Sequence, residues 1–95
     1  TWSARLTGPC DPQSLRAVLD AVASGAFGDV ARVKGIARAG AGWVHFDVAG
    51  GRSSVAAFAP HQDDEPRVVA IGRRVDGDRL KAAFEACRTP VVGTC

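Results

Sequence analysis

The chain has 95 residues, the size of one domain with a single modest core. An apolar fraction of 46% and a charged fraction of 23% are those of a globular protein and exclude a disordered one. A net charge of +2, with the basic residues scattered along the chain, lacks the footprint of a nucleic-acid binder, and no apolar run is long enough to span a bilayer.

Trp2 to Thr7 alternates, with Trp2, Ala4 and Leu6 on one side and Ser3, Arg5 and Thr7 on the other, the period of a half-buried strand that Gly8-Pro9 ends. Asp11-Pro12 then opens a helix: the carboxylate caps free N–H groups, and proline suits the first turn. Leu15, Val18, Leu19 and Val22 form its apolar stripe; Gly25 and Gly28 stop it, and Phe27 is expected to fold back onto the core. Val30 to Ile36 reads as a strand with an interior glycine, Gly35, which marks either a bulge or a close approach of another backbone.

Gly40-Ala41-Gly42 is a predicted turn. Trp43 to Val48 alternates, with Val44, Phe46 and Val48 on one face and Trp43, His45 and Asp47 on the other. Gly50-Gly51 is a hairpin dipeptide, and Ser53 to Ala59 is the next strand. Pro60 to Pro66 is a polar, acidic loop, and Arg67 to Arg73 returns to strand. Asp76-Gly77-Asp78 starts a second helix with the stripe Leu80, Ala83, Phe84 and Cys87; Pro90 follows its end.

The predicted order is β-α-β-β-β-β-α. Hairpin succession implies a mainly antiparallel sheet, and two helices with one apolar stripe each need the same partner surface. The expected fold is therefore α+β, a two-layer sandwich with both helices on one face of the sheet. The free face would carry Trp43, His45, Asp47 and Arg5, and it can lie in water.

Chemistry-bearing groups are few. Gly40-Ala41-Gly42 leads into a strand, so no helix N-terminus is there for a phosphate. His61, Asp63, Asp64 and Glu65 have the donor types for Zn²⁺ or a similar divalent ion, although the same composition describes an ordinary solvated turn. His45 has Asp47 one pleat away to orient it, but no evident nucleophile completes a catalytic set. Arg32, Lys34, Arg73 and Arg74 would form a positive patch if their two strands are neighbours. Cys10, Cys87 and Cys95 are too few for a disulfide framework and none is in a C-x-x-C pair; they read as reduced thiols, with Cys87 in the core and Cys10 near a helix N-terminus that can lower its pKa. The first residues have no signal-peptide layout and the chain does not begin with Met, so it is expected to be a cytoplasmic fragment of a longer protein.

Several of these segments, in this order, resemble the CobW C-terminal domain. Arg32-Val33-Lys34-Gly35-Ile36 is similar to its R-x-K-G-hydrophobic strand, with Trp43 on the next strand. Ile71-Gly72-Arg73, Asp76, and Leu80, Phe84 and Cys87 are similar to its closing strand and final helix. The resemblance spans Trp2 to Arg88. It implies one CobW C-terminal-like domain over residues 1–95, the accessory module of a GTP-dependent metallochaperone that serves partner docking, metal delivery or oligomerisation. The implied partners are an N-terminal GTPase domain of the same protein, a metal-requiring client and a further copy of the chain, with neither nucleic acid nor membrane.

The family's phosphate loop and Cys-x-Cys-Cys motif are not in this sequence, so GTP hydrolysis and the main metal site do not carry over. The expectation is a non-enzymatic chain without a cofactor of its own, apart from weak contact with zinc or cobalt at His61, Asp63, Asp64 and Glu65. Arg32, Lys34, Trp43, His45 and Arg73 are the expected docking residues. Two further readings fit the residues: a stand-alone ligand-binding or oligomerising module using the face of Trp43, His45 and Arg5, and a small metal-dependent enzyme built on His45, His61 and the acidic loop.

Overall fold

The computed structural model describes residues 1–6, 9–40 and 42–87. Expectations for Thr7, Gly8, Ala41, the segment after Cys87 and Cys95 lie outside those residues. The elements are β1 (Trp2–Arg5), α1 (Pro12–Ala23), β2 (Gly28–Ala39), β3 (Gly42–Ala49), β4 (Arg52–Phe58), β5 (Arg67–Val75) and α2 (Gly77–Ala86), in the order read from the sequence. All strands join one five-stranded sheet ordered β1-β5-β2-β3-β4, with every neighbouring pair antiparallel.

Strands β2, β3 and β4 form a meander. The β3–β4 hairpin turns at Gly50 and Gly51, whose φ angles of 57° and 77° suit a tight turn that side-chain-bearing residues rarely adopt. β5 does not continue the meander. It enters between β1 and β2, so the acidic loop carries the chain from the β4 edge back past two strands.

Both helices start on aspartate caps. Asp11 accepts from Ser14 N–H at 3.0 Å and from Ser14 Oγ at 2.9 Å, and Asp76 accepts from Arg79 N–H at 3.2 Å. Each cap satisfies donors that the first helical turn leaves open. α1 buries Leu15, Leu19 and Val22, and α2 buries Leu80 and Phe84. Both stripes enter one cluster with Val33 and Ala37 of β2, Phe46 and Val48 of β3, and Val68 and Ala70 of β5. The fully buried Phe46 ring stacks on Phe84 with centroids 5.9 Å apart, joining β3 to α2. This is the predicted two-layer sandwich, with both helices on one face.

Phe27 folds back into the core as expected, and the Arg79 guanidinium lies 5.6 Å from its ring centroid. At the other edge, Ser53 of β4 donates to the Asp20 carboxylate of α1 at 2.7 Å. The interior Gly35 is a close approach, not a bulge. It pairs in unbroken register with Phe46 on one side and Val68 on the other, and the irregularity of β2 falls between Asp29 and Arg32.

Candidate docking face

Pairing register decides what the second sheet face carries, because residues directly opposite in antiparallel strands share a face. Arg38 is opposite Trp43, Ile36 opposite His45, and Lys34 opposite Asp47. On the far side of β3, Trp43 is opposite Phe58 and Asp47 opposite Ser54. On the β5 side, Lys34 is opposite Val69, Arg32 opposite Ile71, and Arg5 of β1 opposite Arg67. This face lies opposite the helices. It displays the exposed cations Arg5, Arg32, Lys34, Arg38, Arg52 and Arg67 around half-buried Trp43, His45 and Phe58. Ile71, at 50% exposed, is the large apolar side chain most open to water among the described residues.

Few acidic groups answer these charges. Asp47 pairs with Arg32 at 3.2 Å, and Glu65 meets Arg5 at 3.6 Å. Asp47, one pleat from His45 and so placed to orient it, accepts instead from Arg32, and its Oδ1 is buried without a hydrogen-bond partner. The register explains the difference. Asp47 lies beside β2, where Lys34 is opposite and Arg32 two residues away, so a cation reaches it across the ladder.

The acidic loop does not gather its donors. Asp64 Oδ2 accepts from the His61 backbone N–H at 2.7 Å, and Asp64 N–H donates to the His61 carbonyl at 3.1 Å, which closes a local turn. Glu65 faces Arg5, while His61 and Asp63 stand exposed. Among the described residues, no three of His, Cys, Asp and Glu are grouped to hold a metal ion. Asp64 turns toward the sheet instead. With Lys34, Ile36, His45, Phe58 and Arg67 it lines a shallow hollow of about 360 Å³ on the open face.

Of the docking candidates, Lys34 and His45 therefore meet in one hollow, Arg32 stands on the same strand as Lys34, and Trp43 lies two residues from His45 on β3. Arg73 stands apart. It is near the far end of β5, in an open recess with Thr1, Trp2, Asp76 and Gly77. The strands of Arg32 and Lys34 and of Arg73 and Arg74 are neighbours, as the patch required, but the pairs lie at different heights along them.

Sequence reasoning missed one meeting of reactive groups. Cys10, just before the α1 cap, and Cys87, at the end of α2, lie with their sulfurs 3.5 Å apart, although 77 residues separate them in the chain. Nothing in their local sequence signals this contact; it needs both helices placed on the same face.

A family model for the cobalamin synthesis protein cobW C-terminal domain matches residues 1–88. The chain belongs to the CobW C-terminal domain family. Its fold agrees with two solved structures of the YjiA GTPase, both described as Zn(II)-bound. One is a triple mutant, with a TM-score of 0.75 at 21% identity, and the other is the E. coli protein, with a TM-score of 0.73 at 18% identity. In each case 93% of this chain is covered, but only 29% of the GTPase chain. At that identity the likeness establishes the fold alone. No curated protein matches the chain. In this CobW C-terminal domain, the motif residues Arg32 and Lys34 sit on the open face, whereas Gly35 and Gly72 sit where strands or side chains come too close for a Cβ. Of the first pair, Arg32 is ion-paired with Asp47 and both side chains are exposed; the second pair serves packing.

Proposed function

We propose that this CobW C-terminal domain is the non-catalytic docking module of a CobW-like, GTP-dependent metallochaperone, and that it binds through its open sheet face. The observation that carries this reading is a sheet face left uncovered by either helix, bearing Arg5, Arg32, Lys34, Arg38, Arg52 and Arg67 around Trp43 and Phe58. Aromatics framed by arginines are the side chains that anchor interfaces. The partner that fits is an acidic protein surface, either on the GTPase domain of the same protein or on a metal-requiring client. Two copies meeting through this face would bring like charges together, which disfavours self-association there.

The Zn(II)-bound YjiA structures support metal as the cargo of a longer protein of this kind, but the donors around His61 do not form a set for it here. The reading therefore rests on docking and not on metal capture by this chain. Its test is a binding measurement between this chain and the separately produced GTPase domain. Lys34→Glu/Arg38→Glu/Arg67→Glu is expected to weaken binding at least about tenfold, in line with truncating or reversing interfacial charges, while circular dichroism stays unchanged. Binding that survives both this triple change and Trp43→Ala would remove the open face from the interface.

A further inference from the structure

We propose that Cys10 and Cys87 form a peroxide-responsive dithiol, in which Cys10 is the attacking thiol and Cys87 resolves it into a disulfide. The inference stands on the geometry of the pair and does not depend on the docking reading. Both cysteines are free and buried. Their sulfurs are 3.5 Å apart, so a disulfide requires them to close by about 1.5 Å, within reach of side-chain rotation. The backbone around them is already pinned. Asp11 N–H donates to the Cys87 carbonyl at 2.7 Å, and Cys10 N–H donates to the Arg38 carbonyl at 2.6 Å.

The two cysteines are almost equally buried, at 1% and 2% exposed, but their surroundings differ. Cys10 lines a hollow of about 280 Å³, open to solvent, beside Trp2, Leu6, Lys81 and Phe84; Cys87 does not line it. A small hydroperoxide can enter where a bulky disulfide oxidant cannot. The thiols differ in acidity as well. The Cys87 S–H has two acceptors in reach, the Phe84 carbonyl at 2.9 Å and the Cys10 sulfur at 3.5 Å, and its contact with Cys10 holds the Cys10 pKa below its ordinary value against the opposing effect of burial. The same contact, with burial, pushes the Cys87 thiol up. The cysteine that borders the hollow is thus also the more readily ionised one, and thiolate is the reactive form.

The chemistry balances in two steps. The Cys10 thiolate attacks one peroxide oxygen; an S–O bond forms, the O–O bond breaks, and the departing alkoxide takes a proton to leave as an alcohol, or as water from hydrogen peroxide. The Cys87 sulfur then attacks the Cys10 sulfenic sulfur. An S–S bond forms, the S–O bond breaks, and the hydroxyl leaves as water with the Cys87 proton. Two thiols lose two electrons in all, and the peroxide accepts them. The product ties the entrance of α1 to the end of α2, closing a loop over nearly the whole described chain.

The experiment uses the chain with Cys95→Ser, which removes the third thiol. After hydrogen peroxide treatment, the expected intact mass is lower by two hydrogens. Peptide mapping is expected to show Cys10 joined to Cys87, reversibly with a dithiol reductant, and Tm is expected to rise by about 10 °C or more, as closing so long a loop implies. Adding Cys87→Ala should leave a Cys10 sulfenic acid that a dimedone probe traps; adding Cys10→Ala should leave Cys87 reduced over the same exposure. Retention of both thiols in the Cys95→Ser chain, under peroxide that fully oxidises a free cysteine standard, would overturn the proposal. So would equal oxidation of Cys87 with and without Cys10.

Discussion

Gly35→Ala is expected to destabilise the domain by about 2 kcal/mol, although it adds a single methyl group. A Cβ at this position would strike the edge of the Phe46 ring and lie 2.6 Å from the Arg67 carbonyl oxygen. Neither neighbour can give way cheaply. Phe46 is fully buried and stacked on Phe84, and the carbonyl belongs to β5, paired alongside β2. Overpacking of this kind costs about 1–3 kcal/mol, and the backbone contact places the change in the upper half of that range. Removing a glycine from the unfolded chain returns about 0.4–1 kcal/mol, which leaves a net loss near 2. In a domain of this length that corresponds to a fall in Tm of about 8–16 °C.

Urea unfolding measures the loss as a drop in midpoint at constant slope. Phe46→Leu supplies the second arm. If the ring is what the methyl group meets, the double change should cost about 1 kcal/mol less than the sum of the single changes. A Gly35→Ala chain within about 0.5 kcal/mol of the parent would refute the argument, because substitutions that touch nothing fall in that range. Gly72→Ala offers the contrast. There a Cβ would strike the Asp29 carbonyl oxygen and lie 2.8 Å from the Val30 Cα, backbone on both counts, so no side-chain substitution should rescue it.

Asp11→Ala should cost about 1 kcal/mol by leaving the first turn of α1 uncapped, measured by thermal unfolding, with Asp11→Asn recovering most of the loss. The rate of Cys10 oxidation by hydrogen peroxide should rise with pH and reach its half-maximum below that of a free cysteine measured alongside, because the contact with the Cys87 S–H favours the Cys10 thiolate. Cys87→Ala removes that donor and leaves only burial, which disfavours the thiolate; the midpoint should then move upward, and an unmoved midpoint would show that the sulfur contact does not set it.

What was legible in the sequence was what local periodicity encodes. The alternation of Trp43 to Val48 and the stripes Leu15–Val22 and Leu80–Cys87 placed each side chain on the face it occupies. The ends of β2 were not legible. The strand runs from Gly28 to Ala39, past the Val30–Ile36 stretch with strand composition, because β5 and β3 supply ladder partners to glycine and alanine positions that carry little strand signal of their own. Strand order was equally hidden. Nothing in Arg67–Val75 says that it pairs with Trp2–Arg5 and Gly28–Ile36 and not with the preceding strand, since pairing is a long-range choice made by burial of the shared core.

The same division runs through the sites. Face membership follows from alternation, so Trp43, His45 and Asp47 were placed on one face; that Arg32 and Lys34 share it while Arg73 stands apart follows from register, as does the pairing of Asp47 with Arg32, and the meeting of Cys10 with Cys87 follows from tertiary packing. The acidic loop shows the converse: four donor-type residues adjacent in sequence suggested a metal site, yet adjacent residues on a turn diverge, and Asp64 and Glu65 spend their carboxylates on the loop's own backbone and on Arg5. A ligand set needs side chains that converge, and in this fold convergence is produced by the sheet and the helices laid across it, at the hollow around His45 and Lys34 and at the paired thiols, where residues distant in the chain are held face to face.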